Sequence, residues 1–373
     1  MEKSEKNWYE INQVEEIDSP ALVVYPDRVK ANIQIALHLV KDPARLRPHV
    51  KTHKTIEVTQ LLLKAGIQQF KCATIAEAEM LAIAGADDIL LAYQPVGPKI
   101  DRLFKLISNF PKVTYSCLID HHDAAFMLSE KAVSENRILT VYVDINLGTN
   151  RTGISPGKEA EKLFDQVSKM KGLEVKGFHI YDGHLRQKDF VQRKSACNLA
   201  FTEIEQMIDS QQAIGHPKPI VIAGGSTTFP IHAQREGVVC SPGTFVYWDY
   251  GYGGILTEQE FEPAALIISR VISLPSKGLI CVDLGHKSIS SENPLSNRVH
   301  FLHADPLEPV SQSEEHLVLK TYPNHQFKIG DVLYGIPYHI CPTVALYERA
   351  LTIEKGILTG EWRVIARDRK LKW

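Results

Sequence analysis

From residue 20 to about residue 225 the chain repeats one pattern: a short apolar run, a loop, then an amphipathic stretch. Residues 21–25, 46–50, 69–73, 89–93, 113–119, 138–145, 175–180 and 219–223 read as strands, apolar and bounded by turn residues. Helices follow them, the first opened by Pro26-Asp27 and another stopped by Gly85. Strands that alternate with helices build a parallel sheet. About eight such units in about 200 residues predict a closed (β/α)8 barrel of the TIM type rather than an open sheet. After about residue 255 the rhythm changes. Residues 264–273, 278–282, 299–302, 315–319, 331–334 and 362–367 read as strands joined by turns, with little helical spacing between them. The α/β chain therefore divides into a barrel over 19–255 and a β-rich domain over 256–373, with residues 1–18 packing on the latter.

A chain of 373 residues, 44% of them hydrophobic, has core enough for two such domains. Its formal net charge is -2 and no long run of one sign occurs, so neither nucleic acid nor an anionic membrane is an expected partner. The six cysteines (72, 117, 197, 240, 281 and 341) show no CxxC pair or framework spacing, which suits a reducing compartment. The opening residues are charged and lack an apolar segment, and no apolar run approaches membrane-spanning length. A soluble cytoplasmic protein is expected.

In a barrel, function collects at the carboxyl ends of the strands. The second predicted strand runs into Arg47-Pro48-His49-Val50-Lys51-Thr52-His53-Lys54, where the proline excludes a regular helix. Lys51 is the candidate Schiff-base lysine, with a basic surface loop as the alternative. His49, two residues earlier, shares its face if the strand continues; Lys54 is expected in solvent. Asn150-Arg151 follows the sixth predicted strand, as a surface turn or as an arginine set to hydrogen-bond a phenolate oxygen. The seventh carries His179-Ile180-Tyr181-Asp182-Gly183-His184. The eighth is followed by Gly224-Gly225-Ser226-Thr227-Thr228, a flexible turn or a run of free N–H groups and hydroxyls suited to a phosphate monoester. A lysine, an arginine and a phosphate cradle on one rim describe a site for pyridoxal 5'-phosphate.

The sequence resembles the family of D-threonine aldolases and eukaryotic-type D-serine dehydratases, within the alanine-racemase-like, fold-type III pyridoxal phosphate enzymes. The similarity is carried by Ser19-Pro20-Ala21-Leu22, the octapeptide ending in Lys54, Tyr181-x-Gly183-His184, Gly224-Gly225-Ser226-Thr227, Ser241-Pro242-Gly243-Thr244, Ser313-Glu314-Glu315-His316 and His339-Ile340-Cys341. The resemblance implies a cofactor-bearing barrel completed by a β domain, in a homodimer. It matches Lys51 to the cofactor lysine, Arg151 to the cofactor-contacting arginine and Gly224, Gly225, Ser226 and Thr227 to the phosphate site, with His49, Tyr181, Gly243 and Thr244 beside the cofactor.

His339 and Cys341 lie two apart, so on a strand both would share one face. An imidazole and a thiolate favour zinc over magnesium. Spacing alone leaves open a half-buried histidine beside a core cysteine; the resemblance implies a divalent metal, zinc ahead of manganese. Two protein ligands leave positions for water and substrate, as a catalytic ion requires. The implied substrate is a D-3-hydroxy amino acid whose hydroxyl the metal polarises. Deprotonating that hydroxyl breaks Cα–Cβ and gives glycine and an aldehyde, as in a D-threonine aldolase. Removing the Cα proton instead expels hydroxide and leads to a keto acid and ammonia, as in a D-serine dehydratase. Tyr181 and His184 are the candidate proton-transfer groups. Cys341, where aldolases of this family carry aspartate, points towards dehydration, while Ser313-Glu314-Glu315-His316 points towards aldol cleavage, the favoured outcome. An amino-acid racemase would need a second base such as Tyr334 or Tyr338 and would leave the metal pair unexplained. A pyridoxal phosphate carrier would have no use for the β-rich domain.

Overall fold

The computed structural model describes residues 7–304 and 306–373. Strand β1 (Ala21–Val24) precedes a seven-stranded parallel sheet in sequential order: β2 (Gln69–Cys72), β3 (Asp88–Leu91), β4 (Thr114–Ile119), β5 (Leu139–Ile145), β6 (Leu173–Ile180), β7 (Ile220–Ala223) and β8 (Val238–Cys240). Helices α1 (Pro26–Val40), α2 (Ile56–Lys64), α3 (Ile75–Ala84), α4 (Pro98–Asn109), α5 (His122–Ser134), α6 (Lys158–Ser168), α7 (Phe190–Ala213) and α8 (Phe229–Ala233) connect and cover it. Local chemistry explains the units. Every residue of β5 is buried, four of its seven being Leu, Ile or Val, as a strand packed on both faces requires. Helix α6 buries Ala160, Leu163, Phe164 and Val167, one stripe at helical spacing. Thr74 caps α3 by accepting from Glu77 N, and Gly85 ends it at φ 94°.

The seven strands close into a barrel through residues 46–50. Isolated bridges join Leu46 to Cys240 and His49 to Lys71. Arg47 N donates to Cys240 O at 2.8 Å, and Val50 N to Lys71 O at 2.9 Å. Pro48 has no N–H to give, which explains bridges in place of a continuous ladder. The expected count of eight holds, with one exchange of membership. β1 leaves the barrel, pairing antiparallel with β9 (Ala265–Ser276) and parallel with β15 (Arg349–Glu354). Its place is taken by β8, three residues too short to signal in sequence. The run Gly224–Thr228 therefore follows the penultimate barrel strand, and Ser241-Pro242-Gly243-Thr244 follows the last.

The second sheet holds β1, β9, β10 (Leu279–Val282), β11 (Val299–Phe301), β12 (Glu308–Gln312), β13 (Leu317–Lys320), β14 (Val332–Pro337), β15 and β16 (Ile357–Arg363). Helices α9 (Tyr250–Ile255) and α10 (Ile340–Val344) lie between the two sheets in sequence and at the end of β14. Tyr9, Ile11 and Ile17 are buried with Val23, Leu266 and Ile336 of this sheet; the first six residues lie outside the described part. Among the described residues no helix is long and apolar enough to cross a membrane.

Candidate active site

Lys51 stands in the turn that follows the closing segment, its backbone N 3.4 Å from His49 Nδ1. The neighbouring residues separate sharply by role. Lys54, expected in solvent, instead pairs with the buried Glu77 of α3, whose second oxygen accepts from Ala73 N at 2.6 Å. That ion pair anchors the turn. Thr52 is fully buried, and its Oγ1 lies 3.0 Å from Cys341 Sγ.

The glycine-rich run is shaped by a buried polar brace. Asp182 Oδ1 accepts from Thr228 Oγ1 at 2.6 Å, and its Oδ2 lies 2.8 Å from His232 Nε2. Gly224 sits at φ 76°, and a Cβ there would come within 2.8 Å of His232 Cδ2 and 2.9 Å of Thr228 Oγ1. Only glycine fits. A Cβ at Gly225 would meet the Tyr181 ring at 2.9 Å, and the Arg151 guanidinium stacks on the same ring, 4.8 Å from its centroid. Thr227 Oγ1 is buried and has no hydrogen-bond partner among the described residues. A buried hydroxyl without a partner is costly, and a phosphate oxygen would satisfy it. The loop, the arginine-backed tyrosine and Lys51 thus fit pyridoxal phosphate. Gly243 packs on the lysine turn, where a Cβ would meet His49 O at 2.7 Å. Ser226 contributes its carbonyl to Gln259 Nε2 at 2.8 Å.

Near Lys51 the barrel interior holds three charged or titratable groups, of which sequence spacing singled out His179 at a strand end but not Lys71 or Asp144. Lys71 of β2 is 3% exposed, its Nζ 3.4 Å from His179 Nε2. His179 Nδ1 lies 2.7 Å from Asp144 Oδ1, and Thr152 Oγ1 donates to Asp144 Oδ2 at 2.9 Å. Burial, then the Lys51 charge, pushes the Lys71 ammonium down to about 7. Burial also lowers the His179 imidazole. For Asp144 burial acts upward but is outweighed by the hydrogen bonds from His179 and Thr152, leaving the carboxyl below its ordinary range. A neutral His179 therefore donates Nδ1–H to Asp144 and turns its Nε2 lone pair to Lys71. The available signal was a lysine inside the buried strand Gln69–Cys72. His49 joins this layer, its imidazole held well below the ordinary value by burial and then by Lys51.

His339 and Cys341 meet, but not as strand neighbours. Strand β14 ends at Pro337, and His339 is the N-cap of α10, with Cys341 inside its first turn. Proline at 337 and again at 342 stops the ladder and favours a helix start. Burial raises the Cys341 thiol, yet the hydrogen bond and charge of His339 outweigh it and hold the thiol below its ordinary value. His339 is pushed up to about 9: burial acts downward and is overcome by Cys341 and then Glu292. Glu292 bonds His339 Nδ1, and a carboxylate so placed fixes the orientation of the imidazole. Thr244 Oγ1 lies 3.6 Å from Cys341 Sγ, so Thr244 serves this corner. Asp249, buried, accepts from Tyr252 N at 2.9 Å and Ile340 N at 3.2 Å. Burial raises its carboxyl to about 6. One imidazole, one thiolate and a carboxylate behind the ring fit a borderline-soft divalent ion.

Other residues are placed elsewhere. His184 is exposed and packs by Gly148, where a Cβ would be 3.1 Å from its Nε2. Tyr334 packs on Tyr9 at 5.0 Å between centroids, and its hydroxyl accepts from Ile11 N at 3.3 Å. Asp182, Cys197 and His232 form a compact buried trio able to hold a metal by type. Both ring nitrogens of His232 are already engaged, by Asp182 and by Arg235 Nη1 at 3.0 Å, and burial pushes the Cys197 thiol up to about 12. The trio works as the brace of the glycine-rich run.

Residues 24–251 match the family model of the alanine racemase N-terminal domain, and residues 264–353 match that of a serine dehydratase domain. The 3-hydroxy-D-aspartate aldolase of Paracoccus denitrificans is 27% identical over 95% of this chain and 93% of its own. The D-threonine aldolase of an Arthrobacter species is 25% identical over 94% of this chain and 93% of its own. The crystal structure of D-threonine aldolase from Filomicrobium marinum superposes with a TM-score of 0.87 at 26% identity, covering 94% of this chain and 96% of that one.

Proposed function

Since the chain belongs to the alanine racemase N-terminal domain family and is a pyridoxal phosphate-dependent lyase, we propose that it cleaves D-3-hydroxy amino acids with the help of a divalent metal, by retro-aldol reaction to glycine and an aldehyde. The observation that carries this reading is the contact of Thr52 with Cys341. It sets the imidazole–thiolate pair beside the Lys51 turn, where one substrate can reach the cofactor through its amine and the metal through its β-hydroxyl. Aldolase names on relatives that span nearly the whole chain support it.

Lys51 would hold the cofactor, Gly224, Gly225, Ser226 and Thr227 its phosphate, and the Arg151–Tyr181 stack its ring. Bound there, the cofactor supplies an electron sink for a bond broken at Cα. His339 and Cys341 would hold the ion, zinc ahead of manganese, which as a Lewis acid lowers the pKa of the substrate hydroxyl. Glu292 orients His339. The Lys71–His179–Asp144 chain keeps a fixed hydrogen-bond order under the site, with His179 neutral. A small-molecule substrate and a homodimeric enzyme of the cytoplasm complete the proposal.

Dehydration to a keto acid and ammonia is the second reading, favoured by the match of residues 264–353 to a serine dehydratase domain and by the thiolate ligand. Incubation with D-threonine, D-serine and D-phenylserine separates them. Glycine plus aldehyde is expected. Keto acid plus ammonia would replace the first reading with the second, and an L-isomer alone would overturn both.

A further inference from the structure

A cleft beside His339 is lined by Arg186, Asp249, Tyr252, Glu292, Tyr338 and His339. Its acidic groups are committed. Glu292 is bonded to His339 Nδ1, and Asp249 accepts from two backbone N–H groups. Arg186 is not. Its Nε donates to Gly183 O at 2.9 Å, which pins the side chain to the turn after β6. Among the described residues its two Nη atoms enter no hydrogen bond or ion pair. Its charge still reaches the cleft, acting on both Asp249 and Tyr252. The rest of the lining is amide and phenol, with Ile255 as the aliphatic member. In such a wall the guanidinium is the group that favours an anion.

Resting on the reading of the site as a D-3-hydroxy amino acid lyase, we infer that Arg186 is a specificity-determining residue that selects substrates whose β-carbon carries a carboxylate. A planar guanidinium with both Nη groups uncommitted suits the two-pronged recognition of a carboxylate. On this assignment the substrate would lie with its amine towards Lys51, its hydroxyl towards the His339–Cys341 pair and its second carboxylate towards Arg186.

The test compares both C3 diastereomers of D-3-hydroxyaspartate with D-threonine, in the wild-type holoenzyme and in Arg186→Gln. The wild type is expected to favour the better dicarboxylate by about tenfold or more in kcat/KM, and Arg186→Gln to erase most of that ratio through KM, since one charge-assisted pair is worth about 10- to 100-fold. Arg186→Lys should keep part of it. A readout without turnover is the affinity for D-aspartate relative to D-alanine, followed by cofactor absorbance, which should fall in Arg186→Gln. A wild type with no preference, or a ratio that Arg186→Gln leaves unchanged, overturns the assignment. If no 3-hydroxy amino acid is cleaved, the lyase reading itself fails, and an unchanged D-aspartate to D-alanine ratio then overturns the role of Arg186 separately.

Discussion

Thr52 Oγ1 and Cys341 Sγ lie 3.0 Å apart, although 289 residues separate them in the chain. The contact joins the turn of Lys51 to the first turn of α10 and so brings the two halves of the site together. Loss of one half should be readable in the other's chemistry.

Lys51 is expected to carry the cofactor. The purified protein should be yellow, and borohydride should fix the cofactor to Lys51 in a peptide map. Lys51→Ala should lose the reducible adduct and at least about a thousandfold in activity, a barrier change of about 4 kcal/mol. An adduct of wild-type protein mapped to Lys71, the other lysine of the pocket, would overturn the assignment.

Thr227→Val should weaken cofactor binding by about tenfold, the worth of one hydrogen bond to a charged group. The hydroxyl makes no bond to protein among the described residues, so the thermal stability of the cofactor-free protein should stay the same or rise slightly. Titration of the apoprotein alongside its melting curve checks both. A fall in apoprotein stability with unchanged affinity would mean that Thr227 serves the fold instead.

Among the described residues, Glu292 reaches the proposed metal site through its bond to His339. Glu292→Gln should lower metal affinity by about 10- to 100-fold, with activity restored by added zinc or manganese. Chelation, or His339→Ala, should abolish turnover without releasing the cofactor. Full activity after exhaustive chelation, with metal content measured directly, rules out a catalytic ion.

Lys71 fixes a pH dependence of stability. Its amine titrates near 7 in the folded protein against its ordinary 10.5. Between those values the unfolded chain binds the extra proton, so stability rises with pH, by at most about 1.4 kcal/mol per unit from this group. Below about 7 both states are protonated and the effect is flat. Denaturant unfolding from pH 6 to 9.5 should show wild type gaining on Lys71→Met above pH 7. Parallel curves would mean that Lys71 keeps an ordinary pKa.

Much of this site was legible because its parts are short local signals at strand ends. Lys51, Arg151, Tyr181 and Gly224–Thr227 each follow an apolar run that can be seen without a partner. What escaped depends on register or on distant chain. Ala21–Val24 is an apolar run that reads the same in either sheet, and only its pairing with β9 and β15 assigns it. Val238–Cys240 is too short to announce itself. Lys71 is one lysine in an apolar strand, and its inward direction depends on the register of β2 against β3. His339 and Cys341 come together in a helix start and not on a strand, since the prolines around them override the alternation of a strand. Nothing local links Arg186 to His339, which line one cleft only when the two sheets are assembled.

The placement of β1 also governs how the chain is made. Ala21 pairs with Ile268 and Val23 with Leu351, so β1 is synthesised before the barrel strands but belongs to the sheet completed after them. At about 5–20 residues per second its partners emerge tens of seconds later. During that interval the whole barrel can form while Leu22, Val23 and Val24, each at most 1% exposed in the finished protein, remain without their sheet. The second domain is thus threaded through both ends of the barrel's chain, and a gene cut after the barrel would release a fragment with an orphaned sticky strand at its head.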